Sequence, residues 1–193
     1  MGQDITREQA LALVNDWTKN KNLVKHMLAV EAQMRALCQE FKNKKNTENS
    51  DDWGIAGLIH DADYDQWPQE HPKKLITYLE AKKEPAWLID AIRSHAWGYH
   101  GLTQEPKTKL EWSLYCGDEL SGLIIACALV RPEKKLAAVA VDNVLKKWKE
   151  KSFAAGVHRE QIELCEEKLG IALPDFIAIC LKALQNISQD LGL

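Results

Sequence analysis

The chain has 193 residues, of which 46% are hydrophobic and 27% are charged, and its formal net charge is −3. These values are ordinary for a soluble globular protein and predict a sizeable core. The absence of a basic excess argues against a nucleic-acid polymer as a partner. The longest apolar stretch, residues 120–130, is too short to span a bilayer, so no membrane association is expected.

The beginning of the sequence, MGQDITREQA, lacks the charged and apolar regions of a secretory signal peptide. The five cysteines are scattered and have no CxxC spacing, which favours reduced thiols. Three of them, Cys127, Cys165 and Cys180, stand among apolar residues and are expected in the core. A cytoplasmic protein is therefore expected, and its oligomeric state is left open.

Helical periodicity extends through nearly every segment of the chain. Thr6 and Gln9 predict a capping box at the start of the first helix. A second helix is predicted over about 22–41, because its apolar residues recur at steps of three and four. A polar loop follows at residues 42–50, and Asp51 or Asp52 is expected to cap the helix WGIAGLIH.

The loop DADYDQWPQEHP and the short helix KKLITYLEAKK come next, and Pro85 suits the beginning of the helix AWLIDAIRSHA. A long helix is predicted over about 109–130. Further helical segments are KLAAVAVDNVLKKW, REQIELCEEKL and DFIAICLKALQNISQDL. No period-two strand is present, so the fold class is all-α. Residues 132–193 carry apolar stripes and follow no flexible linker, which predicts one domain over 1–193.

Several polar residues occupy positions that should be apolar or that end an apolar run. Asp118 lies four residues after Leu114 in a largely apolar helix, and a lone buried carboxylate there would be costly. His95 follows Ile92 on an apolar face, and His26 lies beside the apolar stripe of its helix. The pair His60–Asp61 ends the apolar run of another helix.

Each of these residues alone has an ordinary explanation, such as a satisfied core histidine or a capping carboxylate. Together they suggest one bound metal ion, which would satisfy all the groups at once. Imidazole and carboxylate are good ligands for zinc, manganese, iron, cobalt and nickel. At the last turn of a helix, His60 and Asp61 can both converge on an ion beyond the helix end.

The order His26 … His60–Asp61 … Asp118 resembles the H…HD…D signature of the HD-domain superfamily of metal-dependent phosphohydrolases. The segments LVKHMLAVEAQMRAL, GLIHDADYDQWPQEHP, AIRSHA and GDELSGLIIACALVRPEKKL resemble a bacterial branch of predicted HD hydrolases. The resemblance covers about residues 20–131 and implies an HD-domain-like helical bundle with a metal at its centre. Residues 132–193 look like a C-terminal helical extension packed on this core.

The resemblance also implies roles for individual residues. It implies that His95 binds a second metal or the substrate phosphate, with His100 as another candidate for the same role. The first ion would be divalent, namely manganese, iron, cobalt, nickel, zinc or magnesium. The implied ligands of that ion are His26, His60, Asp61 and Asp118.

The general acid or base is less clearly indicated. Some nucleotidases of the superfamily place a catalytic Glu three residues after the HD aspartate, where this sequence has Tyr64. The flanking Asp63 and Asp65 are alternatives, and Asp65 is the favoured acid or base. A solvated loop carboxylate is the ordinary interpretation of each. His71 precedes Pro72 and is expected at the surface.

The sequence thus predicts a metal-dependent phosphohydrolase that acts on a small-molecule phosphomonoester or phosphodiester, with nucleotides among the candidates. The alternative is a non-catalytic, metal-stabilised helical module that binds a nucleotide or a protein partner. A purely structural helical protein is a third interpretation. Trp97 and Tyr99, just after His95, either fill structural positions or wall a pocket and stack on a base.

Overall fold

The computed structural model describes residues 4–42 and 49–193, and these contain helices but no strand. The all-α prediction is therefore confirmed. Residues 43–48 of the predicted polar loop lie outside the described residues. No described helix combines the length and the apolar character needed to cross a bilayer. The helices are α1 Arg7–Trp17, α2 Lys21–Phe41, α3 Ser50–Ile59, α4 Lys73–Lys82, α5 Ala86–His95, α6 Lys109–Leu129, α7 Val141–Trp148, α8 Arg159–Leu164, α9 Leu173–Asn186 and α10 Ser188–Leu191.

Local capping explains where the first and third helices begin. At α1, Gln9 N donates to Thr6 Oγ1 and Thr6 N donates to Gln9 Oε1, which confirms the predicted capping box. At α3, the cap is Asn49, whose side-chain oxygen accepts from Asp51 N. The prediction of Asp51 or Asp52 as the cap was wrong, because the helix already begins at Ser50. The two aspartates instead lie in the first turn, at the positive end of the helix dipole.

Helix α3 lies at the centre of the fold, and every residue from Trp53 to Ile59 is buried. It packs along α2, which also contacts α6 and α9. The backbones of α2 and α3 approach closely at Gly57, where an added Cβ would lie 2.8 Å from Val30 O and 2.9 Å from Met34 Cγ. A residue larger than glycine would force the two helices apart. This close crossing positions the end of α3 against the first half of α2.

The C-terminal section packs against the same helices. Helix α6 contacts α7, α8 and α9, and α9 also contacts α2. The segment KLAAVAVDNVLKKW, expected to be helical, is divided into a 3₁₀ turn, Leu136–Ala138, and α7. The division occurs because Val139 and Ala140 are extended, and Ala140 N donates to the side chain of Asn143. All five cysteines are buried, and no disulfide joins them.

Candidate metal centre

Four helices and one loop bring the predicted polar residues together in the core. His26 comes from α2, and His60 caps the C-terminal end of α3 with Asp61 directly after it. His95 is the last residue of α5, and Asp118 lies near the middle of α6. The polar groups on separate apolar faces therefore face one another.

The first group of ligand atoms surrounds Asp118. Its Oδ1 lies 3.0 Å from His26 Nε2 and 3.3 Å from His60 Nε2. The two Nε2 atoms are themselves 3.3 Å apart. Asp61 Oδ2 completes the group at 3.6 Å from each of these nitrogens. The four residues with the implied first-ion role thus present their donor atoms to a common point.

A second group forms on the other oxygen of the same aspartate. Asp61 Oδ1 lies 3.4 Å from His71 Nε2 and 3.7 Å from His95 Nε2. The Nε2 atoms of His71 and His95 are 3.2 Å apart. Asp61 therefore bridges two imidazole pairs, one on each carboxylate oxygen. The donor atoms of His26, His60 and Asp61, and those of Asp61, His71 and His95, each lie within 4.8 Å of one another.

The expectation that His71 lies at the surface was wrong, because the residue is buried and only 6% exposed. The loop after α3 folds back on itself, and the buried carboxylate of Asp63 lies in the same loop. Asp63 Oδ1 accepts a hydrogen bond from His71 Nδ1 at 2.7 Å, and Asp63 Oδ2 accepts one from Leu75 N at 2.9 Å. The one available sequence signal was that His71 shares a loop with His60–Asp61.

Hydrogen bonds on the outer side of the rings fix which nitrogen faces the centre. His60 Nδ1 donates to Gly57 O at 2.8 Å, and His95 Nδ1 donates to Ile92 O at 2.6 Å. A carbonyl oxygen only accepts, so each Nδ1 carries a proton. In the neutral rings the Nε2 lone pairs then point inward.

The same arrangement holds for the other two histidines. His71 Nδ1 donates to the Asp63 carboxylate, and His26 Nδ1 lies 2.9 Å from Ser121 Oγ, which can accept a hydrogen bond from it. Four inward lone pairs thus face one another and two carboxylates. Such a set of acceptors requires cations, and its imidazole and carboxylate chemistry fits divalent metal ions.

The pKa values of the metal-free cluster reflect this excess of acceptors. Burial lowers the pKa of His60, but the charges of Asp61 and Asp118 outweigh burial and raise this pKa to about 9. Burial raises the pKa of Asp118, but His60 and His26 hold it well below its usual value. Burial lowers the pKa of His95. A proton on His60 therefore compensates the carboxylates when no metal is bound.

The two groups lie at the base of an open cavity of about 310 Å³. His100 lines this cavity from the loop after α5 and is exposed. Tyr99 lines the cavity as well, whereas Trp97 does not. The described lining residues are His26, Asp61, Tyr64, His71, His95, Ala96, Tyr99, His100, Asp118, Glu119, Gly122, Val157 and Gln161.

The structure does not support Asp65 as the acid or base. Its Oδ2 accepts hydrogen bonds from Lys19 N at 2.7 Å and from Asn20 N at 3.0 Å, the two residues that precede α2. The side chain is exposed and is not among the described residues of the cavity. The carboxylate that the sequence analysis had assigned to a water molecule therefore pairs with the backbone between α1 and α2.

A family model described as HD domain matches residues 23–167. Because this match covers well over half of the chain, the chain belongs to the HD-domain family. The match continues past residue 131, where the resemblance in the sequence ended, and includes α7 and α8. Comparisons with curated proteins and with solved structures gave no significant match.

Proposed function

We propose that the protein is a metal-dependent phosphohydrolase that acts on a small-molecule phosphoester. The observation that carries the proposal is the position of Asp61, whose two oxygens each face a pair of imidazole Nε2 atoms at the base of an open cavity. One carboxylate between two such pairs suits two neighbouring cations, as in hydrolytic centres with two metals. Membership of the HD-domain family supports the same conclusion.

Each group of donors has a distinct composition. His26, His60 and Asp118 would hold the first ion together with Asp61, and His71 and His95 would hold the second through the other Asp61 oxygen. The imidazole-rich donor set favours manganese, iron, cobalt, nickel or zinc over magnesium, which prefers oxygen ligands. Bound divalent ions supply Lewis-acid activation of a phosphoryl group and of water.

The residues around the ligands have supporting roles. Gly57 O, Ile92 O and the Asp63 carboxylate hold three imidazoles with Nε2 facing inward. His100 lies in the cavity outside the ligand set, and its imidazole ring offers both a hydrogen-bond donor and an acceptor. We assign His100 to contact with the substrate phosphate and to proton transfer at the leaving group.

A non-catalytic, metal-stabilised module is the second candidate. Tyr64 stands where some nucleotidases of the superfamily have a catalytic Glu, and the Asp65 carboxylate points to the backbone of Lys19 and Asn20. These two observations favour a site that binds a phosphoester without turning it over. A purely structural protein would contain no bound metal at all.

Elemental analysis followed by a phosphoester screen with Mn²⁺, Co²⁺ and Mg²⁺ distinguishes these candidates. The matched variants are Asp61→Asn, which alters the bridging carboxylate, and Asp65→Asn, which alters an exposed one. We expect metal and turnover in the wild type and in Asp65→Asn, and loss of both in Asp61→Asn. Metal without turnover of any phosphoester would support the binding module, and a metal-free protein would support the structural role.

A further inference from the structure

The described lining of the cavity contains no lysine and no arginine. Apart from the metal ligands, its ionisable side chains are Tyr64, Tyr99, His100 and Glu119. Enzymes that bind chains of two or three phosphates commonly neutralise them with Arg or Lys side chains. In this cavity, any negative charge beyond the phosphate at the metal centre would meet two phenol rings, one imidazole and a carboxylate, and no lysine or arginine of the described lining.

Glu119 lies next to the ligand Asp118 and is half-buried in the cavity wall. Its Oε2 accepts a hydrogen bond from His158 N at 2.9 Å. Its Oε1 has no hydrogen-bond partner among residues 4–42 and 49–193, which leaves this acceptor available on the cavity wall. The Glu119 carboxylate is therefore held in place by the C-terminal section, because His158 directly precedes α8.

The C-terminal section contributes the neighbouring part of the wall through Val157 and Gln161. His158 Nε2 lies 2.9 Å from Tyr99 Oη, so this segment contacts the loop after α5 as well as α6. The side-chain amide of Gln161 has no hydrogen-bond partner in the described part of the chain. A carboxylate oxygen and an amide without partners that line the same cavity suit hydroxyl groups, which both donate and accept.

We propose that the cavity selects a substrate with one phosphate group on an uncharged, hydroxyl-bearing organic part, and that Glu119 and Gln161 recognise that part. The proposal rests on the phosphohydrolase function and narrows its substrate class. Glu119 acts by accepting a hydrogen bond from a hydroxyl and by repelling a second phosphate. Gln161 acts by pairing with a neighbouring hydroxyl.

Charge selection is tested with the metal-loaded full chain and adenosine 5′-mono-, di- and triphosphate. We expect the monophosphate to have a kcat/KM at least about tenfold above the other two. Glu119→Lys should raise the ratio of diphosphate to monophosphate kcat/KM by at least about tenfold, because the wall then offers a cation. The matched control is Glu163→Lys, which makes the same charge change on α8 outside the described cavity lining.

Hydroxyl recognition is tested by comparing kcat/KM for adenosine 5′-monophosphate with kcat/KM for 2′,3′-dideoxyadenosine 5′-monophosphate, which lacks the two ribose hydroxyls. Gln161→Ala and Glu119→Gln should each reduce the preference for the hydroxylated substrate. Turnover of p-nitrophenyl phosphate, which has no such hydroxyls, reports separately on the proposed function. The substrate proposal is wrong if p-nitrophenyl phosphate is hydrolysed but the wild type prefers the adenosine di- or triphosphate. It is also wrong if Glu119→Lys leaves the ratio of diphosphate to monophosphate kcat/KM unchanged.

Binding gives a readout that does not require turnover. Equilibrium dialysis with non-hydrolysable phosphonate analogues of the same mono- and diphosphate should show tighter binding of the monophosphate analogue to wild type. Glu119→Lys should shift the preference toward the diphosphate analogue, and Glu163→Lys should not. Equal binding of the two analogues by wild type would overturn the proposal even if no phosphoester is hydrolysed.

Discussion

The buried carboxylate of Asp63 lies 2.7 Å from Nδ1 of His71, and this contact orients Nε2 of His71 toward Asp61. A carboxylate behind a ligating imidazole fixes the tautomer and increases the basicity of the ring. Asp63 thus supports the second donor group without contacting its centre, and this role differs from that of Asp65, two residues later.

Replacement of Asp63 should therefore weaken the second group selectively. In Asp63→Asn the amide no longer requires a proton on His71 Nδ1, so we expect bound metal to fall toward one ion per chain and turnover to fall about 10- to 100-fold. Metal content and kcat are the measurements. Asp65→Asn is the control and should match wild type, whereas equal values for both variants would contradict the role given to Asp63.

Removal of Asp118 should abolish the first group. Asp118→Ala takes away the oxygen that lies 3.0 Å from His26 Nε2 and 3.3 Å from His60 Nε2. Bound metal and activity should be lost together, and the melting temperature should fall because the ion binds only the folded state. Chelation of the wild type should lower its melting temperature in the same direction. A variant that retained full metal content would exclude Asp118 as a ligand.

His95→Ala should disrupt the second donor group and leave the first intact, unlike Asp118→Ala. The ring contacts Asp61 Oδ1 and His71 but none of the first-group nitrogens within hydrogen-bond distance. We expect the variant to keep at least one ion and to lose at least about 100-fold in turnover, since one metal cannot replace the pair. Metal analysis beside steady-state kinetics checks this. Unchanged turnover would mean that His95 is a core histidine.

The proton on His60 should make metal binding dependent on pH. Its pKa in the folded, metal-free protein is raised from 6.5 to about 9, so the proton stabilises the metal-free fold fully below pH 6.5. This stabilisation is lost as the pH rises through about 9. A metal ion must displace the proton, so apparent affinity should rise with pH across this window, by up to about tenfold per unit. Metal titrations at several pH values measure it, and a flat profile would contradict proton competition.

Truncation after Val130 tests the single-domain prediction. Helix α9 packs on α2 and α6, and its buried residues include Phe176, Ile177 and Leu184. Removal of residues 131–193 should expose the apolar surfaces of α2 and α6, so the fragment should aggregate or melt far below the full chain. Solubility and the melting temperature are measured on both. A soluble fragment with full metal content and an unchanged melting temperature would show that the section is an independent appendage.

Local patterns in the sequence were sufficient for much of the helical framework. The Thr6–Gln9 capping box and the apolar periodicity of α2 depend on residues a few positions apart, and both were predicted. His26 and Asp118 were singled out because a polar group on or beside an apolar helix face needs a partner, and the resemblance to the HD-domain superfamily implied them as ligands. The structure brings these two side chains to 3.0 Å.

The remaining features depend on contacts between distant segments. His71 lies in a loop without periodicity, and only the folding of that loop over Asp63 buries it. Asp65 was assigned to a water molecule. Its actual pairing with the backbone of Lys19 and Asn20 could not be predicted, because it requires the loop after α3 to meet a segment about 45 positions earlier in the chain. The contact of His158 with Glu119 spans 39 positions and has no local signature.

The absence of a side chain at Gly57 also bears on which ions the centre accepts. Gly57 stands three residues before His60, and its carbonyl oxygen holds the His60 ring. Because backbone and side-chain atoms of α2 lie against this glycine, the spacing between His26 and His60 is set by main-chain contact and adjusts little to an ion's radius. Such a site suits ions with short bonds to nitrogen and disfavours large ions such as calcium. In the proposed metal centre, ion size selection would thus depend on a residue that contributes no ligand atom.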